Sequence, residues 1–293
     1  MNQVRRLFNK IIHEGLTRFL QDTSFYLRQE ITQLPRDVYY FHRNNTHDVL
    51  NEDWDNLIIL DSARFDFFEK HRVLAGELSK KQSSGTWSRP YLRRNFGGRD
   101  LLDTVYIGEN PYIHQVDISG FYAVHAVDVS DITVARTGCD PMDNTQKICN
   151  IIDMYPHKKL IIHLMQPHTP HYTSTGKRYD TPIDNSGSSR PENDKQLRTR
   201  YINSMIFGML RAAIINLSLN GKTVVTADHG ENLGELINGN KIYGHKNFTL
   251  ECEVVPWLEL PTRERKQTLR GDVQQNIDLS DHVSSQLEFL GYK

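Results

Sequence analysis

An acid and an imidazole stand side by side in Thr226-Ala227-Asp228-His229-Gly230-Glu231, directly after the apolar run Thr223-Val224-Val225. Carboxylate and imidazole together are donors for a divalent cation, and the pair at the end of a β-branched run reads as a metal site at a strand exit. A second acid has the same address, because Asn56-Leu57-Ile58-Ile59-Leu60 runs straight into Asp61. An Asp at that point can face a cleft without being stranded in the core, and it can also cap a following helix. A third apolar run, Leu160-Ile161-Ile162-His163-Leu164, leads into Gln166-Pro167-His168-Thr169-Pro170-His171. Proline on either side of His168 stiffens the loop, which suits a positioned ligand. His163, inside the run, reads as a hydrogen-bonded core residue or a support to the ligands. Tyr243-Gly244-His245-Lys246 adds a last histidine ahead of Val254-Val255-Pro256-Trp257-Leu258.

These side chains need a sheet beneath them. Short apolar runs bounded by Gly and polar residues are buried strands, and loops beyond the strand C-termini of an open α/β sheet carry its chemistry. Thr104 to Gly108 and Phe121 to Val127 read as further strands, and Asp143 to Tyr155 as a helix. Gln196 to Leu219 reads as a long helix with Tyr201, Met205, Ile206, Met209, Leu210, Ala213 and Leu217 on its apolar face. Thr173 to Asp194, rich in Ser, Gly, Pro and Asp, reads as a loop beside His168. Leu279 to Leu290 reads as a terminal helix.

The order of these pieces resembles the alkaline phosphatase superfamily, in its sulfatase-like branch. The resemblance runs from about Asp55 to Leu260. It rests on the strand-terminal Asp61 with Ser62-Ala63-Arg64-Phe65-Asp66 after it, the Pro167-His168-Thr169-Pro170 loop, the Thr226 to Glu231 motif, and the late Gly244-His245 before a Val-Pro strand. It implies a three-layer α/β/α sandwich with a mostly parallel central sheet, alkaline-phosphatase-like. It also implies a nucleophile on a loop that opens a helix, here Ser83-Ser84-Gly85-Thr86-Trp87-Ser88-Arg89-Pro90. Related sequences carry a hydroxyl residue after the Trp and a proline two positions on. That places the role on Ser88, with Pro90 in the first helical turn and Thr86 as the alternative.

The resemblance further implies that Asp61, Ser88, Asp228 and His229 hold a divalent metal, with His168 and His245 binding a second metal or the oxygens of the transferred group. His171 is the lesser alternative. Mixed oxygen and imidazole ligation favours Zn or Mn and also admits Mg or Ca. A full two-metal site has another carboxylate near the Pro-His loop; Gln166 stands there, so one tightly held metal is expected. Sulfatases carry an Arg four positions after their modified Cys or Ser, and Ser88-Arg89-Pro90-Tyr91-Leu92 has Leu92 at that place, Arg89 standing elsewhere. The expected function is therefore a metal-dependent hydrolase or transferase acting on phosphate esters, the alternatives being a sulfuric ester hydrolase or an inactive metal-binding module.

Residues 1–50 are expected to be an N-terminal helical segment and connector, and 51–293 the catalytic domain. With 35 Lys and Arg against 36 Asp and Glu, the formal net charge is −1, which gives no reason to expect nucleic acid. The expected partner is a small-molecule or glycan- or lipid-linked ester. Three cysteines, Cys139, Cys149 and Cys252, are too few and too scattered for a disulfide framework. No run approaches the ~18 apolar residues of a membrane span or shows a signal peptide, so the cytoplasm is the expected location. Val4, Leu7, Phe8, Ile11 and Ile12 fall at helical spacing beside Arg5, Arg6 and Lys10. Such a helix would pack on the enzyme or a second subunit, as in a homo-oligomer, or make weak membrane-surface contact.

Overall fold

A computed structural model of the chain describes residues 47–127, 141–179, 193–237, 239–261 and 264–271. In chain order they form β1 (Asn56–Leu60), α1 (Phe65–His71), β2 (Glu77–Gln82), α2 (Ser88–Phe96), β3 (Leu101–Gly108), β4 (Phe121–Ala126) and α3 (Pro141–Asp153). Then come β5 (Lys159–Leu164), α4 (Asp194–Leu217), β6 (Thr223–Thr226), β7 (Asn232–Ile237), β8 (Asn240–Gly244), α5 (Leu250–Glu253) and β9 (Val254–Glu259).

Seven strands make one sheet in the order β2-β9-β6-β1-β5-β3-β4. From β6 to β4 every pairing is parallel, while β9 runs antiparallel to both β6 and β2. The central strands read as unbroken apolar runs because both faces are covered. Leu57 and Ile59 of β1, with Ile161 and Val224, enter a core completed by Tyr91, Leu92 and Phe96 of α2. Ile58 and Leu60, with Leu160, Ile162 and Val225, enter a second core completed by Ile148 and Ile152 of α3 and Met205, Met209 and Ile215 of α4. Alternate residues thus feed opposite cores, which makes three layers with a mostly parallel sheet in the middle. Each such Leu or Ile, fully buried, contributes about 1.5–3 kcal/mol.

Two elements depart from the sequence pattern. In α4 the buried stripe includes Tyr201, Met205 and Met209 but also Ser204 and Arg211, while Leu210 and Leu217 are exposed. The apolar face is therefore rotated from the expected one, because buried polar residues in the stripe carry no hydrophobic signal. β2 is an edge strand, and its Lys80 and Lys81 protect an open edge without any apolar alternation.

The chain divides into two compact units, His47–Leu233 with Gly244–Lys293, and Met1–Thr46 with Gly234–Tyr243. The first carries the seven-stranded sheet and every candidate site residue. In the second, the described residues belong to the two-stranded hairpin of β7 and β8, on which Leu236 and Tyr243 are exposed. The amphipathic stretch from Val4 to Ile12, the segment from Leu279 expected to form a terminal helix, and 180–192 of the Ser/Gly-rich loop lie outside the described residues.

Candidate metal centre

Parallel pairing puts the C-terminal ends of β6, β1 and β5 side by side. Ile59 pairs with Thr226 on one flank and His163 on the other, so Asp61 and Asp228 each follow two residues beyond a common level of the sheet. The adjacent carboxylates of Asp61 and Asp228 share a pocket with the His163 imidazole, and one ligand atom from each lies within 4.8 Å of the others. All three side chains are fully buried. His163 Nε2 stands 3.6 Å from Asp228 Oδ2 and 3.9 Å from Asp61 Oδ2. Asp228 Oδ2 and His163 Nε2 are both buried without a hydrogen-bond partner. Buried polar atoms are seldom left this way, and two facing acceptors beside an imidazole nitrogen fit a divalent cation.

His229 joins from the other side, its Nε2 3.4 Å from Asp228 Oδ2 and 3.5 Å from Asp61 Oδ1. Its Nδ1–H donates to the Gly230 carbonyl at 2.8 Å, and Nδ1 of His163 meets the Tyr106 hydroxyl at 2.9 Å. Holding one ring nitrogen fixes the orientation of the other, as supporting contacts do for metal-ligating histidines. Gly230 is required by close approach: a Cβ there would overlap the Glu251 carbonyl oxygen. Burial alone would raise the Asp228 carboxyl, but the imidazoles of His229 and His163 hold it well below the usual carboxylate range. Burial would likewise lower His229, and the Asp228 and Asp61 carboxylates raise it instead. The pocket therefore favours a positive charge between its carboxylates, which is the place a cation would take.

Ser88 is the first residue of α2 and is fully buried, its Oγ donating to Asp61 Oδ2 at 3.2 Å and lying 3.5 Å from His229 Nε2. It is not a helix cap; Trp87 holds that position without a side-chain cap bond, and Pro90 falls in the first turn as expected. Thr86 offers its carbonyl to Lys246 N at 3.0 Å. Asp61 caps no helix either, since Arg64 occupies the N-cap of α1.

The remaining histidines form a wall. The rings of His229 and His245 are 4.7 Å apart and those of His245 and His168 5.2 Å. His168 is anchored through its backbone N–H, which donates to the Asp61 carbonyl at 3.1 Å. His171 points elsewhere: Nδ1–H donates to the Pro167 carbonyl at 3.1 Å and its ring lies against Tyr201. Gln166 also turns away, because its Oε1 accepts from Arg211, which pairs with Glu109 through two hydrogen bonds.

Three residues gain a place that sequence reasoning did not give them. His163 faces the two carboxylates as well as the core; its signal was a lone imidazole inside an apolar run. Glu231 Oε2 meets His245 Nδ1 at 3.2 Å. Burial would raise the Glu231 carboxyl, but His245 beside it brings it down to about 2. Its signal was its place in the Asp-His-Gly-Glu motif. Asn110, just beyond β3, donates from Nδ2 to Asp61 Oδ2 at 2.7 Å, with its Oδ1 fixed by Tyr112 N at 2.9 Å. Nothing in its sequence surroundings marked it.

No family model and no curated protein matches the chain. Solved structures do. Its neighbours are phosphoethanolamine transferases and sulfatases. The C-terminal periplasmic domain of phosphoethanolamine transferase EptC from Campylobacter jejuni is 14% identical, with 70% of this chain and 77% of that one covered at a TM-score of 0.44. The corresponding Escherichia coli domain, in complex with Zn, is 14% identical over 80% and 81% of the two chains at a TM-score of 0.46. A 2-O GAG sulfatase is 13% identical over 80% and 70% at 0.46. The expected cytoplasmic location is withdrawn; the transferase domains among these neighbours are themselves periplasmic. That expectation rested on the absence of apolar segments, which carries no information about where a domain works.

Proposed function

We propose that this chain is a metal-dependent enzyme that transfers or hydrolyses the phosphoryl group of a small-molecule, glycan- or lipid-linked phosphate ester, with Ser88 as nucleophile. The observation that carries it is the placement of the Ser88 hydroxyl on Asp61, within the pocket where Asp61, His163 and Asp228 converge. Asp61, Asp228 and His229 would hold the cation with Ser88, and His163 is placed to join them. A divalent ion bound there lowers the pKa of the serine hydroxyl and neutralises charge on the reacting group.

The chain's own residues supply the rest. Asn110 and Ser88 both donate to Asp61 Oδ2, which fixes the direction of Oγ. Asp61 Oδ2 would accept the serine proton as Oγ bonds to phosphorus and the bond from phosphorus to the ester oxygen breaks. His168 and His245, whose rings adjoin each other and His229, would bind the phosphoryl oxygens, and His168 would protonate the departing alcohol. An acceptor, water or a second alcohol, then takes the group from Ser88 and restores the hydroxyl.

The test is turnover of an aryl phosphate monoester, an aryl phosphodiester and an aryl sulfate by chelator-stripped protein resupplied with Zn, Mn, Mg or Ca. Metal-restored cleavage of a phosphate ester, lost in Ser88→Ala and kept in Thr86→Ala, is the expected result. Turnover of sulfate alone would replace the substrate class, and the reverse pattern in the two variants would move the nucleophile to Thr86.

A further inference from the structure

The chain turns between β1 and α1 at Ser62, which adopts φ +65°, a left-handed conformation that residues with a Cβ rarely hold. This turn sets the geometry of the proposed centre. Ser62 N donates to Asp228 Oδ1 at 3.1 Å, and Ser62 Oγ donates to Asp61 Oδ1 at 3.0 Å. One residue therefore touches both carboxylates, and its backbone conformation fixes where they stand.

The turn is closed by a single atom from α4. The Tyr201 hydroxyl donates to the Ser62 carbonyl and accepts from Arg64 N at 2.9 Å, satisfying a backbone acceptor and a backbone donor on either side of Ala63. Its ring is fully buried, edge-on to Phe67 at 5.6 Å and to His171 at 6.1 Å. Phenylalanine would fill the same apolar space, so packing alone does not call for a hydroxyl here. Both hydrogen bonds of that hydroxyl go to the turn that carries Asp61.

We infer that Tyr201 is a positioning residue whose hydroxyl holds the Ser62 turn in its left-handed conformation and thereby sets Asp61 against Asp228; its consequence for metal affinity presupposes the metal centre proposed above. Partners hydrogen-bonded directly to a metal ligand change affinity about 10–100-fold when removed, and Tyr201, which acts through the Ser62 backbone, is expected at the low end of that range.

The experiment compares the full-length wild type, Tyr201→Phe and Met205→Ala, the last a core truncation one turn along α4. Zn affinity is measured by competition titration, and hydrogen exchange is followed in peptides covering residues 61–66. Tyr201→Phe is expected to weaken Zn about tenfold or more and to speed exchange at 61–66, while Met205→Ala lowers the melting temperature and leaves Zn affinity within about twofold. Wild-type affinity and exchange in Tyr201→Phe would overturn the inference, as would equal loss of affinity in Met205→Ala. If the wild type binds no Zn, the metal centre is refuted separately. Exchange at 61–66 then decides: faster in Tyr201→Phe than in Met205→Ala supports the role of the hydroxyl, and equal rates overturn it.

Discussion

His163 Nε2 lies 3.6 Å from Asp228 Oδ2, and neither atom has a hydrogen-bond partner although both are buried. A buried carboxylate oxygen and a buried imidazole nitrogen left facing each other beyond hydrogen-bond distance are costly unless a third group completes them. The Asp61 carboxylate on the same pocket points to a cation as that group.

His163→Gln should therefore weaken Zn or Mn binding by about tenfold or more while the protein stays folded, because Tyr106 still has a polar partner. Isothermal titration of chelator-stripped protein measures it. Unchanged affinity would place His163 outside the centre.

The Arg211–Glu109 pair is fully buried and reaches Gln166 on the His168 loop and Thr145 of α3. Removing one member leaves an uncompensated charge, so Arg211→Met should cost about 3–5 kcal/mol in urea unfolding. The double variant Arg211→Met with Glu109→Leu should recover most of that loss. A double variant as unstable as the single one would show that the pair is not acting as a unit.

Buried His171 is pushed down to about 4, chiefly by its removal from water. The unfolded imidazole takes its proton near ~6.5, while the folded one resists until about pH 4. Stability from this residue is thus complete above ~6.5 and lost as pH falls toward 4, by about 3 kcal/mol for the one proton. His171→Asn should flatten the decline in the urea midpoint between pH 7 and pH 5. An unaltered slope would assign the decline to other groups.

Much of this centre could be read from order alone. Asp61 and Asp228-His229 stood out because each follows an apolar run that must be a buried strand, and a charge at such an exit has to face a cleft. Ser88 was legible through the helix it opens. The rest depended on distance across the sheet. His163 pairs in register with Ile59, and only strand adjacency brings its ring to the carboxylates. Asn110 reaches Asp61 from the end of β3, two strands away from β1 in the sheet. The α4 face was misread because a stripe containing Ser204 and Arg211 has no hydrophobic period, and β2 drew no reading because a charged edge strand has none either.

The most direct test is whether the group passes through Ser88. Metal-loaded protein is mixed with the best aryl phosphate ester, quenched in acid within a few turnovers, digested and analysed by mass spectrometry. A phosphoryl group on Ser88, absent after chelation and in Ser88→Ala, is the predicted result. Ester turnover with phosphate on Thr86, or with no residue labelled at any quench time, would contradict it.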